Sequence, residues 1–125
     1  MKAIIAEDDL ISSYHLKEIL ESLGHTVCSC VSSGDDAITS AQKEIPDIVF
    51  MDICMADKND GIKAAEMIKK AKPDIMIVFI SAYPRSTYAE LLANTQYEDY
   101  IDKPIVKNKV KEHIARLKIP PEVSY

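Results

Sequence analysis

Six residues in this 125-residue chain could do chemistry together if the fold gathers them: Glu7, Asp8, Asp9, Asp52, Ser81 and Lys103. Asp52 closes the run Ile48-Val49-Phe50-Met51, and a carboxylate at the tip of a buried apolar segment is costly unless something pairs with it or uses it. Crowded acids raise one another's pKa, so the set requires a bound metal, or Lys103, as counter-charge. Ligation by oxygen alone, with few protein groups, suits Mg²⁺, which keeps several waters and takes one or two carboxylates plus a phosphate. One carboxylate could instead be a nucleophile that forms an acyl phosphate. The metal and Lys103 would then neutralise the phosphoryl oxygens, and Ser81 would donate a hydrogen bond to the product.

Short apolar runs at residues 2–6, 25–31, 47–51 and 75–81, rich in Ile and Val and bounded by polar or turn residues, predict four buried strands. A fifth is expected in the shorter, more polar segment 97–102, from its place in the alternation and its aromatic residues. Leu16, Ile19, Leu20 and Leu23 stand at helical spacing and stop at Gly24. Ala37, Ile38 and Ala41 predict a second helix, and Ala64, Met67 and Ile68 a third that ends before Pro73. Leu91 and Leu92 mark a weaker fourth, while Val106, Val110, Ile114 and Leu117 trace a fifth. Strict alternation of apolar strands with helices implies an α/β doubly wound parallel sheet with right-handed crossovers. The working residues of such a sheet gather at the carboxyl ends of its strands, where Glu7, Asp8, Asp9, Asp52, Ser81 and Lys103 all fall.

Composition narrows the function classes. A net charge of -5 speaks against direct nucleic-acid binding, which needs clustered Lys and Arg. No stretch approaches a membrane span, and "MKAIIAEDD" is too brief for a signal peptide's apolar region. Three cysteines, Cys28, Cys30 and Cys54, do not form a disulfide framework, which points to reduced cytoplasm. Strand alternation places Cys28 and Cys30 on one face and His25 on the other, short of a zinc site. His15, His25 and His113 lie away from the acidic edge, so a phosphoryl donor would be another protein.

The pieces "IIAEDD", "DIVFMDICM", "DGI", "VFISAY" and "YIDKPI", in this order and spacing, resemble the receiver domain of two-component response regulators over about residues 2–117. The resemblance implies a flavodoxin-like five-stranded sheet of order 2-1-3-4-5 with five helices. It implies that Asp52 accepts a phosphoryl group and that Glu7, Asp8, Asp52 and the backbone carbonyl of Cys54 hold Mg²⁺. Asp9 falls at a variable position, and Ala82 is the small residue beside the hydroxyl. Ser81 and Tyr100 become the switch residues, and Lys103 the cation, joined to Pro104 by a cis bond. Residues 1–119 would be the domain, and 120–125 a tail or the start of a linker.

The implied partners are a histidine kinase or phosphotransfer protein, then a downstream protein or output domain, with homodimerisation a possibility. The surface of the fourth helix, fifth strand and fifth helix would change partner affinity, with Tyr88, Leu91, Leu92, Tyr97 and Ile105 as candidates. Three departures stand out. The loop "CMADKND" has neither the Pro nor the Gly common in this family, which leaves its conformation open; "ANTQYEDY" replaces a common Gly-Ala pair; and Tyr83 is large for a position governing water's access to the acyl phosphate. Slow autodephosphorylation is the expectation there. Alternatives are a degenerate receiver that binds partners without phosphorylation and an aspartyl-nucleophile phosphatase. Such a phosphatase needs a second Asp where this chain has Cys54, and a flavin or nucleotide binder needs a Gly-rich loop after the first strand.

Overall fold

The computed structural model describes residues 1–117, so the tail expected at 120–125 lies outside the described residues. The elements run β1 (Lys2–Ala6), α1 (Leu10–Ser22), β2 (Thr26–Val31), α2 (Gly34–Glu44), β3 (Ile48–Asp52), α3 (Asp60–Ala71), β4 (Met76–Ser81), a 3₁₀ turn (Arg85–Tyr88), α4 (Ala89–Leu92), β5 (Asp99–Asp102) and α5 (Lys107–Ala115). All strands are parallel, in the order β2-β1-β3-β4-β5. This is the doubly wound flavodoxin-like arrangement, and the strand order reverses beside β1 and β3.

Each central strand alternates between two cores, which is why it reads as continuously apolar. Ile4, Ala6, Val49, Met51, Ile77, Phe79 and Tyr100 face α2, α3 and α4, meeting Ala37, Ala41, Ile62, Ala65, Ile68, Tyr88 and Leu92. Ala3, Ile5, Ile48, Phe50, Val78, Ile80 and Ile101 face α1 and α5, meeting Leu16, Ile19, Leu20 and Val110. The helix ends follow local chemistry. Asp9 caps α1 by accepting from the Ile11 amide at 3.3 Å and the Ser12 hydroxyl at 2.6 Å, so its carboxylate is spent on the cap. Gly24 follows α1 at φ 91°, as its place in the sequence predicts, whereas α2 ends on Ile45 at φ 46°, a left-handed conformation that a β-branched residue adopts only under strain.

Five local expectations change. A register shift between Ala3 and Ile4 makes Cys28 an extra, bulged residue in β2. One inserted residue reverses the strand's parity. Cys28 therefore packs into the core with Val31, while exposed Cys30 pairs with Ile5 on the opposite face, so the two thiols do not share a face. Strand β5 begins at Asp99 rather than 97, and the expected fourth helix is four residues long. So short a helix has no stability of its own and must be pinned, which accounts for the burial of Tyr88 and Leu92 (9% and 5% exposed) where partner-facing side chains were expected. Met67 lies outside the apolar stripe of α3, 55% exposed, because Ile62, Ala65 and Ile68 centre that stripe.

Candidate functional site

The carboxyl ends of β1, β3 and β5 bring together an acidic cluster and one cation. Asp52 is the last residue of β3, flanked by fully buried Met51 and Ile53. Lys103 follows β5, where its amide donates to the Ser81 carbonyl oxygen at 2.8 Å. Its Nζ lies 2.9 Å from Asp52 Oδ2 and 3.2 Å from Glu7 Oε2, bridging two carboxylates that are 6% and 4% exposed. The Cys54 amide donates to Asp52 Oδ1 at 3.1 Å, and the Asp9 amide to Glu7 Oε1 at 3.2 Å. The bond between Lys103 and Pro104 is cis.

These contacts set the charges. Burial pushes Glu7 up to about 8, and the neighbouring Asp52 carboxylate adds to the rise against the opposing pull of Lys103. Burial disfavours the charge on Lys103, but its bonds to Asp52 and Glu7 outweigh that and raise its pKa above the ordinary lysine value. One oxygen from each of Glu7, Asp8 and Asp52 lies within 4.8 Å of the others, and Asp8 is exposed. The donor set is oxygen only, part buried and part open to solvent, which fits a hard cation that keeps some of its water. Asp9 stands outside it.

Ser81 ends β4, 2% exposed, with its Oγ accepting from the Tyr83 amide at 3.0 Å. Tyr100 is 5% exposed and donates its hydroxyl to the Tyr83 carbonyl oxygen at 2.6 Å, which ties the aromatic ring to the loop that follows Ser81. Arg85 lies over both Tyr97 and Tyr100, with ring centroids at 5.8 and 5.7 Å, and reaches Asp99 at 4.0 Å.

Three features of the surroundings escape the sequence reading. A Cβ at Gly61 would run into the Asp52 carbonyl oxygen and stand 2.8 Å from the Asp52 carbonyl carbon and from Ile53 Cα, so α3 starts hard against the candidate acceptor's backbone. Asp60 Oδ2 accepts from the Gly34 amide at 2.8 Å and the Ala56 amide at 3.2 Å, tying the loop after β3 to the start of α2. Cys54 Sγ lies 3.2 Å from the Lys58 carbonyl oxygen and 3.3 Å from the Tyr88 hydroxyl. The Asp-Gly pair at the head of α3 carried a signal for the first two; nothing in the sequence linked Cys54 to Tyr88.

The profile of the response regulator receiver domain matches residues 3–115. The probable C4-dicarboxylate response regulator DctR of Bacillus subtilis is 28% identical over 94% of this chain and 52% of its own length. The chemotaxis protein CheY of Treponema pallidum is 31% identical over 91% of this chain and 80% of its own. This chain thus spans about half the length of several curated relatives it matches. Among solved structures, the receiver domain of a Pseudomonas aeruginosa sensor histidine kinase, with a magnesium ion coordinated in its active-site cleft, superposes with a TM-score of 0.80 at 24% identity, covering 93% of this chain and 95% of that one. Strand order and a profile that takes in every core element lead to one family: this chain belongs to the response regulator receiver domains, the signalling switches of two-component systems.

Proposed function

We propose that this receiver domain, residues 1–119, takes a phosphoryl group from a histidine kinase or phosphotransfer protein onto Asp52 and thereby changes its affinity for a downstream protein or output domain. The observation that carries this reading is the bridging of Asp52 and Glu7 by Lys103, with Asp8 close by at the same edge. In the transfer, an Asp52 carboxylate oxygen forms the new P–O bond as the donor's P–N bond breaks and its imidazole departs. Fully buried neighbours and the Cys54 amide hold that carboxylate still, while the Lys103 ammonium stands where phosphoryl charge arrives.

Glu7, Asp8, Asp52 and the Cys54 carbonyl would hold Mg²⁺, which when bound supplies further positive charge to the phosphoryl oxygens. Ser81 and Tyr100 are the switch pair: a hydroxyl drawn toward the new charge would give up its bond from the Tyr83 amide and disturb the Tyr83 carbonyl that Tyr100 uses. Leu91 and Val106, 42% and 49% exposed, with half-buried Tyr97 and Ile105, form the face that would answer. Homodimerisation through this face, and a cytoplasmic setting, belong to the same reading; among the described residues no helix is long and apolar enough to cross a membrane.

The deciding experiment is intact mass after incubation with a small phosphoramidate or acyl-phosphate donor, with and without Mg²⁺, in wild type and Asp52→Asn. A single phosphoryl increment that needs Mg²⁺ and disappears in the variant is the expected result. No increment in either protein would favour a receiver that binds partners unphosphorylated, and an increment that survives in Asp52→Asn would place the nucleophile elsewhere.

A further inference from the structure

The loop between β3 and α3 contains no proline or glycine, and side chains hold it instead. Two of its pins are already described: Asp60 fixes Ala56 to the start of α2, and Cys54 reaches Lys58. Asp57 adds a third by accepting from the Asn59 amide at 3.0 Å. Whereas Asp60 ties the loop to α2, Cys54 ties it to the turn that follows β4. The Lys58 carbonyl can only accept, so the thiol S–H donates to it, and the Tyr88 hydroxyl donates to the sulfur in turn. Burial, and then the Cys54 contact, push the Tyr88 phenol up to about 12 against the opposing effect of nearby Ser81, so the hydroxyl keeps its proton at neutral pH.

Three parts of one residue thus serve three neighbours. The Cys54 amide holds Asp52 Oδ1, its carbonyl is a proposed cation ligand, and its thiol holds Tyr88. Tyr88 closes the 3₁₀ turn and leads into the four-residue α4, and with Leu92 it is a buried anchor of that segment. Its ring also meets Tyr83 edge-on at 6.5 Å.

We infer that the contact between the Cys54 thiol and the Tyr88 hydroxyl couples the cation-binding loop to residues 85–92, with Tyr88 as the positioning residue, in addition to whatever passes through Ser81 and Tyr100. It rests on the reading that the Cys54 carbonyl takes a divalent cation. A cation there fixes the backbone from which the thiol projects, and Tyr88 transmits that constraint to the turn. Coupling of this kind acts in both directions, so loss of the hydroxyl also weakens cation binding.

The test is a Mg²⁺ titration followed by backbone amide NMR in wild type, Tyr88→Phe, Cys54→Ala and Cys54→Ser. In wild type, amides of residues 52–56 and of residues 85–92 respond. In Tyr88→Phe and Cys54→Ala, residues 52–56 still respond, the response of residues 85–92 falls by half or more, and the Mg²⁺ affinity drops about two- to fivefold, the span of one weak net hydrogen bond. Cys54→Ser keeps a group that both donates and accepts, and restores most of the response. An equal response of residues 85–92 in all four proteins overturns the inference alone. No response of residues 52–56 in wild type overturns the cation reading and the inference with it.

Discussion

Replacing Gly61 by alanine should damage the proposed acceptor site more than it damages the fold. Gly61 is the second residue of α3, and its amide donates to the Ile53 carbonyl oxygen at 2.9 Å. Taking the 2.8 Å approach of an added Cβ to the Asp52 carbon and Ile53 Cα out to an ordinary 3.4 Å requires a shift of about 0.6 Å, and the Asp52 oxygen, nearer still, requires more. The obstacle is backbone, so no side chain can swing aside. Alanine gains at most about 1 kcal/mol over glycine in a helix, less in a first turn, against roughly 1–3 kcal/mol for overpacking. The net loss is about 1–2 kcal/mol, a fall in Tm of roughly 3–10 °C for a domain of this size. The proposed nucleophile is displaced as well: a misplacement of about 1 Å slows a positioned reaction about 100-fold, so phosphorylation should slow by about tenfold or more while most of the protein stays folded.

Differential scanning calorimetry and the initial rate of phosphoryl incorporation at saturating Mg²⁺ read the two effects. Gly24→Ala is the control, because Gly24 sits at φ 91° with nothing within 4 Å of an added Cβ. It should lose about 1 kcal/mol from backbone strain while phosphorylating at the wild-type rate. A Gly61→Ala protein that melts within a degree of wild type and phosphorylates normally would refute the packing of α3 on Asp52.

Other outcomes follow from single residues. Glu7, at about 8 in the folded metal-free protein against 4.5 as its ordinary value, binds more protons folded than unfolded between those limits, so its contribution to stability declines as pH rises from about 4.5 to about 8 and is constant above. In EDTA, Glu7→Gln should therefore gain stability relative to wild type across that window; an equal difference at pH 5 and pH 8.5 would count against the shift. Ile45→Asn relieves a left-handed β-branched residue that is 59% exposed, and urea melts should show a gain of about 0.5–1 kcal/mol, with no gain in Ile45→Val. Tyr83, 55% exposed beside the switch loop, is expected to slow water's approach to the acyl phosphate; Tyr83→Ala should shorten the phosphoprotein half-life several-fold, and an unchanged half-life would count against that role.

The sheet was legible because its three central strands, β1, β3 and β4, are buried on both faces and so contain little but Ile, Val, Ala, Phe and Met, and the candidate site was legible because its residue types fall at strand ends. What stayed hidden depends on pairing rather than pattern. A bulge at Cys28 leaves the hydrophobic alternation almost unchanged yet turns Cys30 to the other face. The burial of Tyr88 and Leu92 could not be seen because a four-residue helix has too few positions to show a period. The thiol of Cys54 meets a hydroxyl 34 residues away, and no local rule connects them.

The shortness of α4 also divides the domain into parts of unequal durability. The interior of β1, β3 and β4 is sealed by residues at 0–2% exposure, so opening it means unfolding the whole domain. Opening residues 85–92 costs little beyond the contacts of Arg85, Tyr88 and Leu92, because the turn and helix close few hydrogen bonds of their own. The segment can detach and reseat many times within one lifetime of the folded sheet, on the microsecond-to-millisecond scale of local rearrangement. A proteolytic nick or a substitution in its exposed positions would therefore reach the proposed partner-binding face first and leave the acid cluster on its platform.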